Sequence, residues 1–245
     1  MSHFLGLYGE ALKTFEVVIQ GGALLAVIGL YRDRVLQLLR GLIGKDPAGR
    51  RLCINLFLSF FPVAVVGLLL HGWIKEHLFT PSPVVGALAA GGAVMLAVDA
   101  WSKKKLPGTR TLDSLKPSEA ALIGLVQCLA LWPGASRAMV TIVAGLLCGL
   151  PAAAAAEYSF LLALPTLGAA VGLDAVSNGA ELLQTLDALA ILLGVATAAV
   201  VAALAMRGFV RYLGRHGLGL FGWYRLALAA VVWVIMVRAG HGGHP

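Results

Sequence analysis

The stretch LWPGASRAMVT, Leu131–Thr141, sets one arginine, Arg137, inside a long apolar run, directly after a proline and a glycine. An ionised side chain in such a run is a functional candidate by default, because the bilayer core makes it costly. Its neighbours point to one kind of chemistry. Pro133 and Gly134 interrupt a helix, and a broken helix frees backbone N–H groups at the start of its second arm, where the helix end carries partial positive charge. The Arg137 guanidinium and the Ser136 and Thr141 hydroxyls would complete an anion site suited to phosphate oxygens. Arginine suits the task better than lysine because its planar fork can hold two oxygens at once. Gly134 would let the backbone approach the ligand. A plainer reading competes: a tight turn between two short spans, with Arg137 snorkelling to water or pairing with a carboxylate.

Few other residues in the apolar segments carry chemistry. Glu16 and Glu157 could face a cavity and hold a cation or pair with Arg137, or could sit at helix starts where the macrodipole favours a carboxylate. Gln20 and Gln127 line that cavity or bond helix to helix. Asp99 and Asp174 lie near span ends, where exposure is the simpler expectation. Cys53, Cys128 and Cys148 fall in apolar segments without the spacing of a metal or redox pair, and are expected to pack in the core.

The elements that must position these residues are membrane helices. A chain of 245 residues that is 59% hydrophobic and 13% charged, with mean hydropathy +0.87, has more apolar surface than one soluble core could bury. Six candidate spans are Thr14–Tyr31, Leu52–His71, Val84–Trp101, Ala154–Val176, Asp187–Met206 and Gly222–Arg238, with an interrupted block between the third and fourth, Glu119–Leu150. Each arm of that block is too short to cross about 30 Å of hydrocarbon, which predicts a re-entrant hairpin with its tip at membrane depth, shielded by protein or lining a wet cavity. The expected fold is therefore all-α: a polytopic membrane bundle of about six spanning helices plus one re-entrant helical hairpin, residues 1–245 forming a single integral domain. The net charge of +7 sits in short loops between spans rather than on one basic face, so membrane topology explains it and nucleic acid does not. The basic loops after the first, third and fifth spans are cytoplasmic on this reading, and the loops Gly72–Pro83 and Ser177–Leu186 lie outside.

The sequence QCLALWPGASRAMVT resembles the PGxSRSxxT signature of the bacterial undecaprenyl-diphosphate phosphatases, the bacitracin-resistance family. KTFEVVIQ at Lys13–Gln20, EYSFLLALP at Glu157–Pro165 and YRLALAA in the last span are similar to that family too, so the resemblance covers essentially the whole chain. Ala138 departs from it, standing where the family usually has serine. The resemblance implies hydrolysis of undecaprenyl diphosphate to undecaprenyl phosphate and inorganic phosphate, recycling the lipid carrier of cell-wall synthesis and conferring bacitracin resistance. It implies Arg137, Ser136 and Thr141 as catalytic residues and Gly134, Pro133, Gln127, Glu16 and Glu157 as substrate-binding ones. Mg²⁺ or Ca²⁺ is the implied cofactor, with no ligand assigned in this chain.

The family's other half-site, a glutamate-rich ExxxE segment followed by Pro-x-Ser-Ser and a histidine, finds no counterpart in MSHFLGLYGEAL. The expectation is a start placed too late or a truncation. The alternative is a catalytically impaired member that binds or translocates a polyprenyl phosphate lipid without turnover. Overlaying KTFEVVIQGGALLA on AAAEYSFLLALPTLGAA aligns Glu16 with Glu157 and suggests two related halves, the remnant of an inverted repeat. The expected location is the bacterial plasma (inner) membrane. The expected partners are a polyprenyl diphosphate lipid and bilayer lipids, with a homodimer as a further candidate assembly.

Overall fold

The computed structural model describes residues 10–103, 110–185 and 188–241, and its described elements are helical throughout. In chain order they are α1 (Glu10–Leu30), α2 (Arg32–Leu42), α3 (Pro47–His77), α4 (Pro81–Lys103), α5 (Pro117–Gln127), α6 (Arg137–Leu147), α7 (Ala152–Thr185), α8 (Ala188–His216) and α9 (Gly219–His241), with 3₁₀ turns at Leu112–Ser114 and Cys128–Leu131. Among the described residues, α3, α4, α7, α8 and α9 are long and apolar enough to cross a membrane. The first predicted span falls on α1, 21 residues long, which at 1.5 Å per residue reaches about 31 Å.

The helices outrun the predicted spans. The loops expected at Gly72–Pro83 and Ser177–Leu186 are largely helical, since α3 continues to His77 and α7 to Thr185. A hydropathy window marks where side chains are apolar, whereas backbone hydrogen bonding continues into the headgroup layer until a stop signal ends it. The first basic loop likewise holds α2, with Asp33 in its first turn and Arg40 in its last, the arrangement that complements the helix dipole.

Contacts divide the chain into two compact units. One combines residues 1–49 with 160–209. In it α1 meets α8 at Gly22, where a Cβ would lie 2.6 Å from that of Ala198, and Tyr31 stacks on Phe160, which in turn meets the edge of Phe209. The other combines residues 50–159 with 210–245 and contains the whole interrupted block.

In this second unit α4 and α9 approach closely through glycine. A Cβ on Gly92 would lie 2.9 Å from the Gly222 carbonyl oxygen, and one on Gly222 3.0 Å from that of Gly92. Near the end of α4, Asp99 is buried rather than exposed as expected. Its Oδ1 accepts from the Leu218 amide at 2.7 Å and its Oδ2 from Lys103 Nζ at 2.7 Å, so the carboxylate satisfies an amide that leads into α9 while the lysine offsets its charge. The Asp174 side chain lies outside the described residues. The three cysteines are free thiols, half-buried rather than central in the core.

The block Glu119–Leu150 folds as two short arms. Pro117 begins α5 at the position where a missing N–H costs nothing, and Glu119 accepts from the Lys116 amide at 2.9 Å. The arm α5 lies against α3. Gly124 allows this, since a Cβ there would come within 2.7 Å of the Leu58 carbonyl oxygen and Ser59 Cα. Ser59 Oγ lies 2.7 Å from the Ala120 carbonyl oxygen and 2.7 Å from Tyr158 Oη, and Tyr158 Oη lies 2.9 Å from the Asn55 carbonyl oxygen. These buried hydroxyls bond α3 to α5 and to the first turns of α7.

At the base of the block, Arg110 donates to both Glu119 carboxylate oxygens, at 3.0 and 2.8 Å, and to the Cys148 carbonyl at the end of α6. This clasp ties the start of one arm to the end of the other. The hydrogen bond from Arg110 holds the Glu119 carboxyl below its ordinary value of 4.5. A depressed carboxyl contributes stability that is complete above the unfolded value and is lost as pH falls through the folded one. The melting-temperature advantage of the natural protein over Glu119→Gln is therefore expected to be constant down to about pH 5 and to shrink toward about pH 3. Thermal unfolding in detergent measures it, and an advantage that grew on acidification would contradict the clasp.

Candidate functional site

The apex of the hairpin is built in a few residues. After the 3₁₀ turn the chain becomes extended at Trp132, and Gly134 takes φ +92° and Ser136 φ +62°. The first is a glycine conformation. Ser136 is the non-glycine residue with positive φ among those described, a strain of about 1–3 kcal/mol that persists only where the surroundings over-determine it. They do so here. The Trp132 indole N–H donates to the Pro83 carbonyl at 3.1 Å, and the Ala135 amide to the Trp132 carbonyl at 3.0 Å. Gly134 fits so closely on α4 that a Cβ would lie 2.8 Å from the Val84 carbonyl oxygen.

From this turn α6 starts with Ser136 as its N-cap and Arg137 as its first residue. The Ser136 hydroxyl accepts from the Met139 amide at 3.5 Å, the outer limit of a hydrogen bond, and the amides of Arg137 and Ala138 have no acceptor within the helix. A cation at the positive end of a helix is electrostatically disfavoured. Guanidinium and helix start therefore repel each other, and an anion placed between them relieves both.

Arg137 is half-buried, with Nη1 donating to the Ser159 carbonyl at 3.3 Å. Ser159 lies on α7, and its hydroxyl pairs with that of Thr141 at 2.7 Å. Ser136, Arg137, Gly134 and Pro133 thus share the apex as the sequence suggests, and Ser159 joins them unanticipated. Its serine in EYSFLLALP was the available signal.

Thr141 is placed deeper than the apex residues. It is buried, and its Oγ1 lies 2.9 Å from the Arg137 carbonyl oxygen and 3.2 Å from that of Ala138. With one proton and these neighbours, the hydroxyl is engaged inside the protein, fixing the first turn of α6 against α7, instead of being presented to a ligand.

The remaining expected residues are placed differently. Gln127, the last residue of α5, is buried with neither amide atom bonded to a described protein group; it is enclosed rather than lining an open apex. Glu157 is half-buried on α7, and at about 100° per residue it lies roughly 200° around the helix from Ser159. Glu16 is on α1, and its side chain lies outside the described residues. Among the described residues no group of three or more His, Cys, Asp or Glu side chains could hold a metal ion. A guanidinium, hydroxyls and amides form a donor set for anions, so the described apex does not fit Mg²⁺ or Ca²⁺.

Arg225, on α9, was missed by sequence reasoning. It is buried, and its Nη2 donates to the Gly134 carbonyl at 2.6 Å and lies 3.3 Å from the Ala87 carbonyl oxygen. The signal was available, because Arg225 sits inside the last predicted span just as Arg137 sits inside the interrupted block.

The family description "Bacitracin resistance protein BacA" matches residues 1–231. The chain is 48% identical over 231 residues to an undecaprenyl-diphosphatase of Sorangium cellulosum, covering 94% of this chain and 75% of that protein. It is 43% identical over 230 residues to an undecaprenyl-diphosphatase of Maridesulfovibrio salexigens, covering 94% and 86%, and 39% identical over 223 residues to undecaprenyl-diphosphatase 2 of Shewanella oneidensis, covering 91% and 83%.

The inward Thr141 hydroxyl carries a prediction about stability. Thr141→Val leaves the Ser159 hydroxyl without its partner and is expected to destabilise the protein by about 1–3 kcal/mol, whereas Thr141→Ser keeps the bond and loses less. Thermal unfolding of the two variants decides it, and equal stability of Thr141→Val and the natural protein would contradict the network.

Proposed function

The chain belongs to the bacitracin resistance protein BacA family, and from that premise we infer that it is a multi-pass membrane phosphatase that hydrolyses undecaprenyl diphosphate to undecaprenyl phosphate and inorganic phosphate. The observation that carries this reading at the level of atoms is the placement of Arg137 at the first position of α6, beside amides that a helix cannot itself satisfy, in an apolar segment. An arrangement of that kind has little purpose without an anion. The substrate's prenyl chain dissolves in the bilayer while its diphosphate needs a polar site at membrane depth.

In the reaction a water oxygen bonds to the terminal phosphorus as the bond from that phosphorus to the bridging oxygen breaks. The bridging oxygen keeps the electron pair and stays on undecaprenyl phosphate, and the water proton leaves with the released phosphate or to solvent. Such chemistry depends on positioning and on neutralising charge that spreads over phosphoryl oxygens. Arg137 would bind two of these oxygens with its fork, and the Arg137 and Ala138 amides would meet the same group along the helix axis. The hydroxyl of the exposed Ser136 would donate to the same group. Thr141 and Ser159 would hold the helix start in register. Release of the monophosphate lipid returns a carrier for cell-wall synthesis, and depletion of the diphosphate removes the target of bacitracin.

Bilayer lipids surround the outer faces, where Leu68, Leu192, Leu204, Trp223 and Ile235 are exposed. A homodimer is the remaining partner reading. These apolar faces would serve lipid or a second copy of the chain alike, and light scattering in detergent separates a monomer from a dimer.

Arg137→Ala is expected to lower phosphate release from a prenyl diphosphate by about 10²–10³-fold, the usual loss when one donor to developing charge is removed. Arg137→Lys keeps the charge without the fork and should recover only part. Malachite-green detection of phosphate from purified protein measures both. Unchanged turnover in Arg137→Ala would remove Arg137 from the site.

A further inference from the structure

Arg225 has a cost that the packing of α9 does not explain. Its guanidinium is buried, its Nε has no hydrogen-bond partner among the described residues, and no carboxylate among them pairs with it. An unpaired cation in an apolar interior is expensive. The contact of α9 with α4 is already made by Gly92, Gly222 and Leu226, which an apolar side chain at position 225 could join without charge.

What the guanidinium does hold is the hairpin. Its Nη2 reaches the Gly134 carbonyl at 2.6 Å, with the Ala87 carbonyl oxygen of α4 at 3.3 Å. Space for it is left on α4 by Gly91, where a Cβ would lie 2.6 Å from that same nitrogen. Gly134 lies three residues before Arg137, on the positive-φ turn that precedes the strained Ser136. Rotation of the peptide between Gly134 and Ala135 would move its carbonyl and swing the start of α6 with it. A charge-assisted bond to that carbonyl resists the rotation better than a neutral one.

Building on the diphosphate site described above, we propose that Arg225 is a positioning residue for catalysis: acting through the Gly134 carbonyl, it fixes the direction in which the start of α6 presents its amides and Arg137 to the phosphoryl group. Donors preorganised in this way act more strongly on the transition state than on the bound substrate. Loosening them lowers kcat more than it raises KM, a signature that a residue serving only to hold the bundle together would not give.

The test uses the natural protein with Arg225→Gln, Arg225→Lys and Gly91→Ala, the last displacing the guanidinium without removing it. Gly91→Ala presses also on the flexible end of Met139, 2.8 Å from the added Cβ, so Met139→Ala combined with Gly91→Ala serves as its control. Phosphate release from farnesyl diphosphate gives kcat and KM per folded protein, and thermal unfolding with and without inorganic pyrophosphate gives a readout independent of turnover. The expected result is a fall in kcat of about tenfold or more in Arg225→Gln and Gly91→Ala, with KM changed by less than about threefold. A smaller stabilisation by pyrophosphate should accompany it, with partial recovery of both in Arg225→Lys. If Arg225→Gln does not fold, Gly91→Ala decides by the same criteria. Folded variants with natural kcat, KM and pyrophosphate response would overturn the proposal. A natural protein that bound pyrophosphate but released no phosphate would instead refute the hydrolase reading, and the pyrophosphate comparison would still judge Arg225.

Discussion

Main-chain polar groups at membrane depth must find partners inside the protein, and this requirement governs the hairpin more than any other force. A continuous helix satisfies itself, whereas a chain broken at Pro133 and Gly134 cannot. Two freed groups at the apex are met by specific neighbours, the Gly134 carbonyl by Arg225 and the Met139 amide by the Ser136 hydroxyl, and the Trp132 indole ties the turn to the Pro83 carbonyl of α4. The two amides that open α6 are left over. In the proposed site these amides and the Arg137 guanidinium would meet the diphosphate together.

Two arginines divide the work in the proposed site. Arg225 is enclosed and bonded to backbone, so its charge is spent on geometry. Arg137 is half-buried and holds a carbonyl at 3.3 Å, a bond weak enough to be exchanged for phosphate oxygens. Thr141 and Ser159 belong with the first of these roles. Their hydroxyls are buried against each other, and they anchor the first turn of α6 to α7.

The hairpin was legible in the sequence because it depends on local features. Pro-Gly in an apolar run breaks a helix wherever it occurs, and the arms on either side are visibly too short to span. Span ends were less legible, since the helices of Leu52–His71 and Ala154–Val176 continue to His77 and Thr185, and hydropathy does not sense where hydrogen bonding stops. Least legible were Asp99, Ser159, Tyr158 and Arg225. Apart from the Asp99–Lys103 pair within α4, their partners are main-chain groups or hydroxyls far away in the chain or on another helix, as in the 91-residue separation of Arg225 from Gly134. Such pairings leave no spacing pattern to read, and a polar residue in a span then looks like an interface residue until its backbone partner is seen. Arg225 could still have been flagged by the rule that singled out Arg137.

The most direct test is a structure of the protein with a non-hydrolysable prenyl methylene-bisphosphonate. The account predicts bisphosphonate oxygens within hydrogen-bond distance of the Arg137 guanidinium and of the Arg137 and Ala138 amides, with Arg225 still on the Gly134 carbonyl. A bisphosphonate bound elsewhere, with Arg137 remaining on the Ser159 carbonyl and the start of α6 empty, would contradict it.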